Sequence, residues 1–195
     1  MSETTAAPQN SGQNIGIAQL NLAYDAHQDR LLFRVALFDN SELQIWLTNR
    51  VAKEIWQLLS GKTHLPTASS IAPQASPAEA VAQFQQELQA TEALQKMDFK
   101  TPYTARDEVM NNQPMLVTNV LLHSQNGKPQ ALELPCLEGI NVRINLNQEL
   151  ILALCNMLQL SSKEAAWNTT NLPPMLVAES PAIAIAIEGD KKVLH

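Results

Sequence analysis

Two side chains of reactive type fall within one predicted hairpin. His123 stands at the end of one predicted strand, and Cys136 lies in the next. A thiol that faces an imidazole is the nucleophile and base of covalent catalysis. A free cysteine in an apolar pattern more often behaves as a small core residue. We therefore predict no catalytic residue, and a Cys/His-dependent enzyme is the last of three functional hypotheses.

Metal and cofactor sites are not indicated either. The four histidines (His27, His64, His123 and His195) are far apart, and no HxxxH, HExxH or CxxC pattern occurs. A zinc site needs three or four such ligands at close spacing. The chain has six glycines and no Walker A or GxGxxG loop that would cradle a phosphate. We predict neither a metal nor a cofactor.

Carboxylates mostly mark the predicted hairpin ends. They are Asp25, Asp29, Asp39, Glu42, Glu133 and Glu138. Paired carboxylates do acid-base chemistry when burial separates their pKa values. Solvent normally reaches hairpin ends, so we interpret these six as exposed surface residues.

A possible binding surface consists of Arg34, Trp46 and Arg143. Side chains alternate along a strand, so Trp46 points away from the apolar face of its strand. Arg34 and Arg143 fall on the corresponding faces of their own strands. Aromatic side chains near arginines stack bases in single-strand binders, which makes single-stranded nucleic-acid binding the second hypothesis. Coverage of Trp46 by the protein's own helix is the alternative.

Composition limits the partners. The 195 residues carry a net charge of −6, and the thirteen lysines and arginines are scattered. Duplex binding needs several phosphate contacts on one face, so the composition argues against nucleic acid. We find no signal peptide and no apolar window long enough for a membrane helix, so we expect a cytoplasmic protein with no membrane contact. Cys136 and Cys155 are then reduced core residues, although a disulfide between them stays an alternative.

The elements that position these residues follow a pattern that occurs twice. Three alternating apolar runs, separated by the polar turns "DAHQD" and "DNS", lead into Thr48, a favoured helix N-cap. Adding 99 to each number gives the same order without a gap, including the turn "SQNGKP", Glu138-Gly139 and the N-cap Asn147. We predict an α+β fold of two tandem β-β-β-α repeats, each an antiparallel meander plus a helix. The repeats are related by internal duplication and joined by a linking helix.

The repeats define the organisation of one compact domain. The predicted parts are a disordered tail (1–14), the first repeat (15–60), a linker (61–113), the second repeat (114–167) and a C-terminal tail or edge strand (168–195). The linker contains a helix at about 77–97, which carries Val81, Phe84, Leu88 and Leu94 on one side. We expect that side to cover a sheet face, and a partner-binding helix is the alternative.

Three stretches carry a family resemblance. "DRLLFRVALFDNSELQIWLTNRVAKEIWQLL", "DFKTPY" and "INVRINLNQELILALCNML" resemble a family of uncharacterised proteobacterial proteins. The resemblance extends from about Ile17 to Trp167 and implies no activity. The duplicated plan also resembles the Whirly and PUR single-strand nucleic-acid binders. Those have four strands per unit and a basic sheet face, from which this chain departs, and a shared fold would not fix the function.

The first functional hypothesis is a non-catalytic cytoplasmic module that binds or scaffolds proteins. It rests on a well-specified fold without convergent reactive groups. The partner is another protein or a second copy of the chain, with a homodimer joined through sheet edges or exposed apolar faces.

Overall fold

The computed structural model describes residues 16–60, 77–111, 113–167 and 183–186. The predicted tail 1–14, the Ser/Pro-rich part of the linker and most of the segment 168–195 lie outside these described residues.

The first unit is a three-stranded meander followed by a helix. Strands β1 (Ile17–Asp25), β2 (Arg30–Leu37) and β3 (Ser41–Leu47) pair antiparallel in that order, and α1 (Asn49–Ser60) follows. Each strand alternates, so one face carries the apolar side chains that pack under the helices. The turn between β2 and β3 contains Asn40 at φ 69°, a conformation that asparagine tolerates.

The linking segment contributes one helix and two short strands. Helix α2 (Pro77–Lys96) is followed by β4 (Glu108–Val109) and β5 (Met115–Leu116), which both pair parallel with β3. The first sheet therefore receives strands from outside its own meander.

The second unit repeats the meander and the helix. Strands β6 (Leu121–Gln125), β7 (Lys128–Pro135) and β8 (Asn141–Asn145) pair antiparallel, and α3 (Gln148–Glu164) follows. Strand β9 (Ile183–Ala186) then pairs antiparallel with β1 at the far edge of the first sheet. The α+β architecture of two meanders with helices is confirmed.

The two units share the register of their second hairpin, β2–β3 in the first unit and β7–β8 in the second. Phe33 pairs with Ile45 in the first unit, and Leu132 pairs with Ile144 in the second, each 99 residues further along. Gly139 adopts φ 80° at the position that corresponds to Asn40. This coincidence supports the internal duplication, which stays a prediction.

The predicted first strand of the second repeat is wrong in one respect: it is not continuous. Met115–Leu116 joins the first sheet, and Leu121–Gln125 joins the second. The Val117 amide donates to the Trp46 carbonyl, and the Thr118 amide donates to the Pro135 carbonyl. Consecutive amides along an extended chain point to opposite sides, so this segment hydrogen-bonds to both sheets and connects them.

One apolar core joins the two units. Buried residues of both meanders and of α1 and α3 form a single cluster, and α3 lies against β1 as well as against α1. Asn147 caps α3 through its side-chain oxygen, which accepts from the Leu150 amide at 2.7 Å. Cys136 and Cys155 are both buried in the core, and neither forms a disulfide bond.

The linking helix packs differently from the prediction. Ala90 is buried, and Ala93, Leu94 and Met97 pack against the core, whereas Val81, Phe84 and Leu88 are exposed. At 100° per residue the exposed residues and the packed residues point roughly 160° apart. The expectation that Val81, Phe84, Leu88 and Leu94 share one side that covers a sheet is therefore wrong.

Candidate functional site

The outer face of the first sheet, which points away from the helices, is polar. Asn21, Arg34 and Gln44 lie opposite one another on three neighbouring strands, and Gln19 and Glu42 extend the face towards the end of the sheet. Gln19, Asn21 and Glu42 are buried although they lie on this outer face. Something other than the helices must cover them.

The segment that covers Gln19 and Glu42 is residues 98–111, which we name the strap. It begins with a tight turn in the "DFKTPY" stretch, where Asp98 Oδ1 accepts from the Lys100 amide at 2.9 Å and from the Thr101 amide at 3.0 Å. The Thr101 hydroxyl and these amides lower the pKa of Asp98. The local sequence thus folds back on itself before the strap crosses the sheet.

Side-chain amides hold both ends of the strap. The Gln19 amide donates to the Pro102 carbonyl at 3.1 Å, and its oxygen accepts from the Thr104 amide at 3.1 Å. At the other end Asn111 Nδ2 donates to the Gln44 carbonyl at 3.0 Å, and Asn111 Oδ1 accepts from the Gln44 amide at 3.3 Å. Each of these two side-chain amides donates one hydrogen bond to the backbone and accepts one from it, as a paired strand would. These contacts fix the position of the strap along the sheet.

Glu42 is the central residue of this cluster. It is only 1% exposed. Its Oε2 accepts from the Tyr103 hydroxyl at 2.6 Å and from the Arg106 amide at 3.1 Å, and its Oε1 accepts from Gln44 Nε2 at 2.6 Å. Burial raises the pKa of Glu42, but these hydrogen bonds and the charge of Arg34 outweigh it, so the pKa lies below its usual value. The interpretation of Glu42 as a solvated hairpin-end residue is wrong.

Tyr103 connects the buried carboxylate to Arg34. The Arg34 guanidinium carbon lies 5.7 Å from the centroid of the Tyr103 ring, within cation–π range. Burial, and then the hydrogen bond to Glu42, raise the pKa of Tyr103 far above its usual value. The hydroxyl is therefore a fixed donor at any physiological pH.

Two arginines at the site each have one buried donor without an acceptor. Arg34 Nε and Arg106 Nε are buried, and among the described residues neither has a hydrogen-bond partner. An unpaired buried donor costs about 1–3 kcal/mol. Among the described residues the ion pairs are Arg50–Glu54 and His123–Glu133, so neither Arg34 nor Arg106 takes part in one.

The three residues of the predicted binding surface divide between the two sheets. Trp46 lies on β3 on the same face as Arg34, diagonally across the strand pair and roughly 7–8 Å away by backbone spacing. Trp46 is half-buried, so it is covered only in part. Arg143 lies on β8 in the second sheet, where it is exposed. The structure places Arg34 and Trp46 together and Arg143 elsewhere.

The Cys/His pair is separated along the second sheet. His123 pairs with Ala131, whereas Cys136 lies five positions further along the chain and bridges to Val117. Five strand positions span roughly 16 Å, well beyond hydrogen-bond reach. His123 Nε2 instead lies 2.6 Å from Glu133 Oε2. Burial, followed by the charge of Glu138, raises the pKa of Cys136, which disfavours a reactive thiolate.

A second polar cluster fastens the end of α3. Trp167 Nε1 donates to Asp29 Oδ1 at 3.0 Å, the Tyr24 hydroxyl donates to the same atom at 2.9 Å, and the two rings meet edge to face. The hydrogen bonds from Trp167 and Tyr24 lower the pKa of Asp29. The cluster connects the turn between β1 and β2 to the end of α3, so its role is structural.

Neither metal chemistry nor a known relative adds to this geometry. No group of three or more metal-ligating side chains occurs in the part of the chain that the structure describes. None of the helices described has the length and apolarity needed to cross a membrane. Comparison of the chain with family models, with curated proteins and with solved structures gives no match.

Sequence reasoning missed most of the strap's contribution. Tyr103 and Arg106 lie in a stretch without periodicity, and "DFKTPY" was singled out only as part of the family resemblance. Gln19 and Glu42 also went unnoticed as site residues, because their burial depends on a cover that is distant in sequence. Arg34 was identified from strand alternation alone.

Proposed function

We propose that this protein is a non-catalytic cytoplasmic protein-binding module, and that it associates with a second copy of itself through α2. The observation that carries the proposal is the stripe of α2, defined as Val81, Phe84 and Leu88. These side chains are 57%, 62% and 45% exposed, although their spacing puts them on one side of the helix. A partner that covers such a stripe removes apolar surface from water.

The flank of the stripe favours a second copy as the partner. Gln85 and Gln89 follow the stripe along the helix, and both are exposed. A side-chain amide both donates and accepts hydrogen bonds, so two identical flanks are complementary across a two-fold axis. A row of like charges in the same place would oppose such pairing.

The size of the stripe sets the strength of the association. Complete burial of a Val, Leu or Phe side chain contributes about 1.5–3 kcal/mol, and these three already have half of their surface covered. The burial of six such side chains exceeds the cost of association by only a few kcal/mol, so we expect a dissociation constant of about 0.1–1 mM. The net charge of −6 opposes self-association, so added salt strengthens it.

The other two hypotheses receive less support. The surface proposed for nucleic-acid binding no longer includes Arg143, which lies on the second sheet. The strap also covers part of the outer face of the first sheet, on which Arg34 and Trp46 lie. A Cys/His enzyme has its two groups far apart along the second sheet.

Sedimentation equilibrium over a range of protein concentrations tests the proposal. The mass of the wild type rises from 21.5 kDa towards twice that value with concentration. Phe84→Gln removes the largest side chain of the stripe and keeps the chain monomeric. Phe38→Gln is the matched control, because Phe38 is 58% exposed at a turn of the first sheet, and it dimerises like the wild type. A wild type that stays monomeric, or equal loss in both variants, overturns the proposal.

A further inference from the structure

The outer face of the first sheet holds more positive charge than its own acid neutralises. Arg34 and Arg106 contribute two guanidinium groups, and Glu42 contributes one carboxylate. The oxygens of Glu42 accept from the Tyr103 hydroxyl, the Gln44 amide group and the Arg106 main chain. Its hydrogen-bonding capacity is therefore directed at groups other than the two guanidiniums.

Within the described part of the chain, no other carboxylate forms an ion pair with these arginines. Asp107 and Glu108 follow Arg106 along the strap, but no ion pair joins them to either arginine in the residues described. Both Nε atoms are enclosed without an acceptor, while both residues keep part of their surface in contact with solvent. The remaining nitrogens of each guanidinium are thus donors that a ligand could use.

Contacts within the site hold the Arg34 guanidinium and the backbone of Arg106 before any ligand arrives. Tyr103, whose hydroxyl is fixed on Glu42 at 2.6 Å, lies under the Arg34 guanidinium. The backbone of Arg106 is held by the same carboxylate at 3.1 Å. A site whose donors are already oriented loses less freedom when an anion binds.

We propose that Arg34 and Arg106 form a binding site for a phosphate-type oxyanion on the outer face of the first sheet. A guanidinium presents a planar fork of donors that matches two oxygens of such an anion. Trp46, on the same face beside Arg34, adds a flat side chain next to the site. The ligand is therefore either a small phosphate ester or a phosphodiester backbone, which share this chemistry.

An NMR titration that observes the arginine Nε–Hε signals tests the site directly. Inorganic phosphate is added at constant ionic strength, with chloride as the balancing anion. The signals of Arg34 and Arg106 shift and saturate in the millimolar range, and the signal of Arg143, exposed on the second sheet, does not. Equal, unsaturated shifts in all arginines, or no shift at all, overturn the proposal.

Three variants distinguish binding at this site from non-specific attraction of phosphate to positive charge. Arg106→Gln reduces the response of Arg34 at least about tenfold, and Arg143→Gln leaves it unchanged. Arg34→Lys keeps the charge and loses the planar fork, so binding weakens without loss of the fold, which circular dichroism verifies. Unchanged binding in both Arg34→Lys and Arg106→Gln contradicts the assignment.

The same signals distinguish the two sources of phosphate. A short oligothymidylate that shifts Arg34 and Arg106 at far lower concentration than phosphate identifies a phosphodiester backbone. An oligothymidylate no stronger than phosphate identifies a small phosphate ester. In both cases the two arginines respond, and if neither probe moves them the site does not exist.

Discussion

The two sheets have corresponding outer faces, but residues at corresponding positions differ in burial. In the first sheet Glu42 lies opposite Ala36 and is buried, whereas its counterpart in the second sheet, Asn141, lies opposite Pro135 and is exposed. The strap crosses the first face, and in the part of the chain that the structure describes no segment crosses the second. Equal register in the second hairpin of each unit therefore does not give equal surroundings.

The difference follows from where the chain runs between the units. The segment after α2 returns to the β3 edge of the first sheet, where β4 and β5 add two parallel strands. On its way it covers Gln19 and Glu42, which then need internal hydrogen-bond partners. The outer face of the second sheet carries Arg143 in contact with water. A polar residue is tolerated in either place, but the covered residue depends on hydrogen-bond partners within the protein.

The largest expected difference is in the free energy of unfolding, when Glu42 and its counterpart Asn141 are each replaced by alanine. Glu42→Ala leaves the Tyr103 hydroxyl, the Gln44 amide group and the Arg106 main chain without their acceptor, so the free energy of unfolding falls by about 3 kcal/mol. Asn141→Ala, at the exposed counterpart, changes it by less than about 0.5 kcal/mol. Urea denaturation measures both. Similar losses in the two variants would show that the strap contributes little.

The pH dependence of stability tests the burial of Glu42 in a second way, with a smaller expected effect. The pKa of Glu42 is lower in the folded protein, so its ionised form stabilises the fold fully above the unfolded value of about 4.3. This contribution is lost as the pH falls through the lowered pKa. The stability difference between the wild type and Glu42→Gln is therefore constant from neutral pH down to about 4.3 and shrinks as the pH falls further. Denaturation curves at a series of pH values check this, and parallel curves would contradict it.

The turns, which resemble each other in both units, give the smallest effect. Gly139 has φ 80°, and an added Cβ would meet nothing within 4 Å, so only backbone strain opposes a side chain there. Gly139→Ala costs about 1 kcal/mol. Gly139→Asn is nearly neutral, because Asn40 adopts φ 69° at the corresponding turn. Thermal unfolding of both variants measures the difference, and equal costs would deny the correspondence of the two turns.

Local pattern was sufficient for the elements and for one site residue. The alternation in β2 placed Phe33 inside and Arg34 outside, and the helix N-cap Asn147 was recognised from its type and position. The Asn126-Gly127 turn, with positive φ at both residues, also follows from local chemistry. These features depend on neighbours within a few residues, which a single sequence displays.

The rest depended on contacts between distant residues. The first strand predicted for the second repeat divides between two sheets, because the edges of both sheets accept hydrogen bonds from its amides. The apolar residues of α2 divide between a packed and an exposed side according to where α3 lies. Neither outcome is visible in a periodicity that only counts apolar positions.

The sequence alone determined two meanders, two capped helices and the face on which Arg34 lies, since hydrophobic period and turn chemistry act over a few residues. Only the tertiary structure decided that Glu42 is buried and that Tyr103 and Arg106 meet it from more than sixty residues away. A carboxylate at a hairpin end is normally solvated, and it becomes a buried acceptor only when a remote segment covers it and supplies its donors.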